Sequence, residues 1–495
     1  MSKRIACACE DVTEGDLAAA AALGFGDVES VKRYTGFGTG FCQGKSCLAG
    51  VADWLGVHGL PREAAAPFTP RPPLAPVALR ELAALDPDSL GPPGPGVPEE
   101  DAILGFPHRR PEGSLPERCA VAIVGGGIMG LALAYDLCRR GMTDVVVLEA
   151  GYLCAGASGR NGGGVRTQWN TETNIRLARR SLALCRGFAR ELGVNVWLRQ
   201  GGYLFLAQSD AVARRLEAST ERQRRLGLAT TMLTAGGARE VVPQLDDRRV
   251  VAAAFNPDDG VVFPWPFLWG YAAGAARRGA HIETFTRVTG VEISGGRLRA
   301  VVTDRGRLAC DVLVNAAGAW SPRVAALAGV KLPNLPYRHE ILVTEPLESF
   351  LGPLVSVLDD GLYFSQSMRG EIVGGMGDRA EPPGFEVGST LRFLARFSRA
   401  IVDCLPVLGG VKVLRQWAGC YDVTPDNSPI LGETPGVTGF LQMSGFVGHG
   451  FMMAPAVAEL MADWMAGRGR DEILDRFNLG RFAQGRLERE DFIIG

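Results

Sequence analysis

The sequence predicts an α/β fold: a Rossmann-like parallel sheet, an antiparallel sheet joined to it, and a small helical unit in front of both. The parallel sheet follows from residues 121–130, an apolar run that meets Gly125-Gly126-Gly127 and continues as a helix pattern. The antiparallel sheet follows from strand-like segments at 335–346, 360–364 and 372–376. The helical unit follows from residues 1–58, where two helix patterns lie between two tight cysteine pairs.

Gly125, Gly127 and Gly130 make G-x-G-x-x-G between a strand and a helix expected over 128–140. The first glycine permits the turn, the second lets backbone N–H groups approach a pyrophosphate, and the third lets helix and strand pack closely. Ile128 and Met129 open that helix at the phosphates. A second strand is expected at 145–148 and ends at Glu149, 19 residues after Gly130, with Ala150 beside it. A carboxylate at that distance binds a ribose hydroxyl. Strand, turn, helix and acid together predict a dinucleotide site, which an ordinary glycine-rich turn would not need.

At 495 residues the chain is too long for one core and implies two to four units. A hydrophobic content of 46% and a charged content of 21% suit a globular protein, and a net charge of -2 gives no reason to expect nucleic acid. The uncharged run at 119–135 holds four glycines and is shorter than the ~20 residues a membrane span needs. No secretory signal pattern opens the chain, so a cytoplasmic protein is expected, with a peripheral place at an inner membrane compatible with it. Eleven cysteines are then thiols or metal ligands, not a disulfide framework.

Cys7 and Cys9 are followed after 32 residues by Cys42, and then by Cys47. Helices are expected over 13–23, with Thr13 as N-cap, and over 27–34. The glycines of 35–40 let backbone N–H groups point at sulfides. Four thiolates suit a [2Fe-2S] cluster; a structural zinc is the competing metal, and unligated thiols remain open. The C-x-C and C-x4-C spacing resembles the bacterioferritin-associated ferredoxin-like [2Fe-2S] module. The phrase at 31–36, continued through 42–47, is similar to the version attached to flavin amine dehydrogenases. Residues 59–117 hold 14 of the 30 prolines and read as a linker, with a short helix expected over 77–85. In opine-oxidase-like complexes a cluster module followed by an Arg-Pro-Pro segment ends the other flavin subunit. The resemblance implies that here it stands in front, as Arg71-Pro72-Pro73.

From Arg118 the chain resembles the D-amino acid oxidase superfamily, which includes glycine oxidase and the sarcosine oxidase β subunit. The resemblance implies an FAD-dependent domain over 118–495, with an FAD part near 118–200, 270–332 and 415–480 and a substrate part near 200–270 and 333–414. Ser158, Arg160, Asn161, Gly162 and Gly163 would lie in the loop under the flavin, and Val288 against the adenine. Ala317, Gly318 and Trp320 would return to the pyrophosphate. Gly419 and Gly448, His449, Gly450, Phe451 and Met452 would flank the isoalloxazine ring and open a helix over 454–465.

Amine oxidation by a flavin needs orientation, a carboxylate clamp and a dry pocket. Arg166 matches the arginine that binds substrate carboxylate in sarcosine oxidases; a surface or phosphate-facing arginine is the plain alternative. A second family cation, a lysine, is replaced by Met452, so the clamp differs. The positions that link covalently to flavin in relatives are Gly159 and Gly419, which implies non-covalent FAD. Tyr421 matches an active-site tyrosine, and Arg338 and His339 are further candidates for the site. Together these imply an FAD-dependent dehydrogenase of an opine or proline-like secondary amine acid. Its electrons would leave through the cluster to a partner or quinone. The resemblance also implies a second flavin-containing subunit, room for an FMN between subunits, and a small ferredoxin-like subunit as a further partner. The alternatives are a glycine- or sarcosine-type oxidase using O2, and an electron-transfer subunit whose amine pocket is vestigial.

Overall fold

A computed structural model describes residues 4–22, 25, 28–59, 71–92 and 114–493. Leu23, Asp27 and the linker stretches 60–70 and 93–113 lie outside them.

Continuous apolar runs build the first sheet. Its eight strands include Arg118–Val124, with Val145–Leu148 parallel on one side and Gly306–Asn315 parallel on the other. His281–Glu283 and Val437–Ser444 extend the parallel part outward. Strands buried on both faces need no alternation of polar residues, and Val145–Leu148 is fully buried. The helix Ile128–Arg139 is buried around nearly its whole circumference, between the sheet and the helices Pro264–Arg277 and Gly450–Met465. The last of these begins four residues before its expected start, so Pro455 lies inside it. Its ring leaves the Phe451 carbonyl without the helical N–H it would otherwise accept from.

The second sheet has nine strands, in the order Val77–Ala78, Lys412–Val423, Leu335–Pro346, Glu371–Gly375, Leu362–Gln366, Leu354–Val357, Tyr203–Ala207, Ala252–Asn256 and Thr231–Leu233. It is antiparallel except where Leu354–Val357 meets Tyr203–Ala207. The amphipathic helix Leu391–Cys404 covers one face with Phe393, Leu394, Phe397 and Ile401. Thr390 caps that helix by accepting from the Phe393 N–H at 3.1 Å. Strand Lys412–Val423, expected from residue 415 in the FAD part, pairs within this sheet, while its residues 419–422 line the flavin cavity.

The linker is also corrected in part. Instead of a helix over 77–85, the chain pairs Val77–Ala78 with Val413 and Lys412 and then forms a short helix, Leu79–Ala83. Leu79 and Leu82 are buried in the core of the second sheet, worth about 1.5–3 kcal/mol each. This stretch is therefore part of the fold rather than a free spacer.

The N-terminal unit is a hairpin, Ile5–Cys7 with Val12–Thr13, followed by helices Glu14–Ala22, Val28–Thr35 and Leu48–Val57 around a core of Leu17, Val31, Phe37 and Val51. Thr13 and Asp16 exchange hydrogen bonds as a cap. The unit docks on the flavin half. Phe25 and Tyr34 pack on Trp269 at 5.5 and 5.0 Å, and Arg33 Nη2 donates to the Tyr152 hydroxyl at 2.6 Å. Arg415 donates to the Thr39 carbonyl, and Arg369 pairs with Glu10.

Candidate active site

The fingerprint turn has little freedom. Gly125 has φ +112°, and a Cβ there would lie 2.4 Å from the Ala316 carbonyl oxygen; one on Gly130 would lie 2.0 Å from that of Gly125. Gly130 thus serves helix–strand packing and does not line the cavity, whereas every other residue expected to contact the cofactor does. The cavity, of about 410 Å3, runs from Glu149 and Val288 to His339 and Tyr421. Glu149 accepts from the N–H groups of Gly126 at 2.7 Å and Gly151 at 2.8 Å, which oppose the upward push of burial on its carboxyl. Ser158 Oγ accepts from the Ile128 N–H at 3.0 Å. Two helices point their N-termini into the space, Ile128–Arg139 near one end and Gly450–Met465 near the other. One suits a pyrophosphate and the other the electron-rich edge of a reduced ring. The residues present fit FAD.

The far end is largely aromatic. His339 stacks on Tyr421 with centroids 4.4 Å apart, and its Nε2 lies 3.1 Å from the Tyr363 hydroxyl. Burial pulls His339 down to about 3, so the ring is neutral at physiological pH. Burial pushes the hydroxyls of Tyr203, Tyr363 and Tyr421 up, so these stay protonated. His449 is held well below its usual value, first by burial and then by Arg166.

Two of the four expected catalytic residues stand elsewhere. Arg166 does not line the cavity. Its guanidinium lies over the Trp169 ring at 3.9 Å and donates to the carbonyls of Gln168 and Phe492. Arg338 is drawn away by Glu381, 3.0 Å from its Nη2, and by the Gly388 carbonyl. Arg160, expected in the loop under the flavin, lines the cavity, and its Nε and Nη1 donate to the carbonyls of Ala155 and Ala418. It thereby ties the loop to strand Lys412–Val423.

A second cavity, of about 290 Å3, opens where the N-terminal unit meets the flavin half, and shares Asn161, Gly162, Ser365 and Val373 with the first. Lys32, Arg33, Arg71, Arg369 and Arg415 line it against Glu29 and Glu371. Burial would push Glu29 up, but Lys32 and Arg33 hold it at about 2. Trp265 and Trp417 form walls.

The four N-terminal cysteines come together as two pairs. The thiols of Cys9 and Cys42 are neighbours, and so are those of Cys7 and Cys47. Backbone N–H groups of Gly44 and Ser46 point at Cys42, and that of Gly38 at Cys47. Among the described residues no group of three or more His, Cys, Asp or Glu side chains converges on a single metal-sized point.

Sequence reasoning missed Tyr203 and Tyr363 in the first cavity, and the cations of the second. Asp422, in the stretch 419–426 that the resemblance sets beside the flavin ring, lines the first cavity. Tyr203 and Tyr363 lie far apart in the chain on strands that each pair with Leu354–Val357.

The profile of the FAD dependent oxidoreductase family matches residues 120–464, and that of the sarcosine oxidase A3 domain matches residues 1–86. Sarcosine oxidase subunit beta of Rhodobacter capsulatus is 30% identical over 384 residues, 77% of this chain and 92% of that one. Mitochondrial dimethylglycine dehydrogenase of Homo sapiens is 27% identical over 373 residues, 70% of this chain and 42% of the relative. The crystal structure of L-proline dehydrogenase from P. horikoshii superposes with a TM-score of 0.72 at 34% identity, covering 76% of this chain and 100% of that one. Glycine oxidase from Geobacillus kaustophilus gives 0.69 at 27% identity, covering 74% and 99%. With a matching profile over most of its length and a cavity that fits the cofactor, the chain belongs to the FAD dependent oxidoreductase family.

Proposed function

We propose that this chain is the FAD-bearing dehydrogenase subunit of a heteromeric enzyme that oxidises an opine or a proline-like secondary amine acid. The observation that carries this reading is the aromatic end of the flavin cavity, where Tyr203, His339, Tyr363 and Tyr421 meet. Ring faces attract an ammonium group, and buried neutral side chains exclude water from the carbon–nitrogen bond. Similarity to an L-proline dehydrogenase at 34% identity supports the substrate class. Bound FAD, held non-covalently, supplies the two-electron acceptor. Tyr421 contacts the substrate's nitrogen, Tyr363 and His339 orient Tyr421, and Arg166 orients His449 from behind.

A [2Fe-2S] cluster held by Cys7, Cys9, Cys42 and Cys47 would supply a one-electron exit towards a partner or quinone. Thiols in two pairs with N–H groups aimed at sulfur suit two irons that each take two thiolates. FMN suits the second cavity, whose arginines outnumber its acids and whose tryptophans offer ring faces. Trp197, Phe263 and Met368 at that cavity are 48%, 39% and 50% exposed. An apolar rim of this kind supports docking of a second flavin-containing subunit, with a small ferredoxin-like subunit as a further partner. No helix among the described residues is long and apolar enough to cross a membrane, and we place the enzyme in the cytoplasm.

The test is anaerobic mixing of the flavin-loaded chain with opines, prolines, sarcosine and glycine. Loss of the oxidised flavin absorbance with an opine or proline supports the proposal. No bleaching with any of these amines overturns it.

A further inference from the structure

Strand Lys412–Val423 reaches the flavin cavity with two neighbouring side chains, Tyr421 and Asp422. Asp422 is buried, and both its carboxylate oxygens are used. Oδ2 accepts from the Gly445 N–H and Oδ1 from Asn334 Nδ2. Its backbone exchanges a second pair of bonds with the same turn: the Asp422 N–H donates to the Val447 carbonyl at 3.3 Å, and the Val447 N–H donates to the Asp422 carbonyl at 3.0 Å.

The turn held in this way is strained. Val447 has φ +55°, a conformation that a β-branched side chain takes only under constraint. Gly445 has φ +77°, and a Cβ there would lie 2.4 Å from Thr424 Cγ2. A Cβ on Gly448 would lie 2.2 Å from the Tyr421 ring. The turn leads directly into His449 and the helix Gly450–Met465, whose first turn lines the flavin cavity. Strain of this kind persists only where neighbours over-determine the backbone, and here the neighbours are the two ends of Asp422.

We propose that Asp422 is a positioning residue for the flavin: its carboxylate locks the strained 445–449 turn and so fixes the N-terminus of helix Gly450–Met465 and the Tyr421 ring at the ring end of the cavity. Both side-chain partners of Asp422 are donors, so the site is built for the carboxylate. Removing the Asn334 side chain takes away one of the two donors and releases one side of the clamp. A looser helix N-terminus stabilises negative charge on the bound flavin less well. The assignment rests on FAD binding in this cavity and not on which amine is oxidised.

The test uses flavin-loaded Asp422→Asn and Asn334→Ala. Sulfite affinity, read from the flavin absorbance, and the flavin midpoint potential report charge stabilisation without any substrate. Asn334→Ala keeps the Asp422 charge and removes one side of the clamp; it should bind sulfite at least tenfold more weakly, matched by a fall of about 30 mV in a two-electron potential, with flavin content unchanged. Asp422→Asn also removes a negative charge at the ring end, which by itself raises the potential and tightens sulfite binding, so its values should lie above those of Asn334→Ala. Wild-type values in Asn334→Ala overturn the assignment; if that variant does not fold, wild-type values in Asn334→Ser overturn it. Failure of every amine to reduce the wild-type flavin would overturn the proposed function and leave this result standing.

Discussion

Arg166 Nη2 lies 3.3 Å from His449 Nε2, and it is His449, not Arg166, that faces the flavin cavity. Burial pulls the guanidinium down to about 10, still charged at neutral pH, and its charge helps keep His449 neutral. Arg166→Ala leaves the carbonyls of Gln168 and Phe492 without their donor and empties the space over Trp169. It should destabilise the protein by about 2–5 kcal/mol, seen as a lower melting temperature, and slow flavin reduction at saturating substrate. A variant with normal melting and a defect confined to substrate affinity would return Arg166 to the carboxylate.

The second prediction concerns pH. His339 is held at about 3 by burial, while an unfolded histidine titrates near 6.5. Below that value the unfolded chain takes a proton that the folded chain refuses. The group's contribution is therefore full above about pH 6.5 and is lost as pH falls towards 3. His339→Gln removes this loss. Its unfolding free energy should fall less steeply with acid between pH 6.5 and 4, by on the order of 1.4 kcal/mol per pH unit. Parallel pH profiles for variant and wild type would show that His339 is not held neutral.

The fingerprint was legible because each of its glycines answers a local demand. Gly125 and Gly130 sit where a Cβ meets backbone a few residues away or on the next strand. The cofactor loop was legible for the same reason. Arg166 and Arg338 were legible as cations, but their direction is set by Phe492, far along the chain, and by Glu381. Tyr203 and Tyr363 meet only because a parallel strand pair and a hairpin bring them together. The strand at Val77–Ala78 was hidden among prolines, and only its pairing with Lys412–Val423 makes it a strand.

The third prediction is that acid releases the flavin. Gly159 and Gly419 carry no side chain that could bond to it, and a Cβ on Gly159 would lie 2.4 Å from the Cys154 carbonyl. After acid precipitation the yellow colour should be in the supernatant. Colour in the pellet would establish a covalent link through some other residue.

The last prediction concerns the electron exit. The N-terminal unit is docked on the flavin half through Trp269 and Tyr152 and on the second sheet through Arg415, so a cluster there would be held in place rather than carried on a free tether. Cys42→Ser or Cys47→Ser removes a thiolate from one of the two pairs. The visible spectrum of the cluster should fade, while flavin reduction by substrate survives, because the substrate end is built from the second sheet and its neighbours. Turnover with a quinone or one-electron acceptor should collapse. A zinc site would behave otherwise: it would show no such spectrum, and loss of a ligand would unfold the unit. The core of Leu17, Val31, Phe37 and Val51 makes it possible to tell these apart by melting the variants. A folded serine variant that lacks the cluster and turns over at the wild-type rate would show that the cysteines serve architecture and that electrons leave from the flavin by another route.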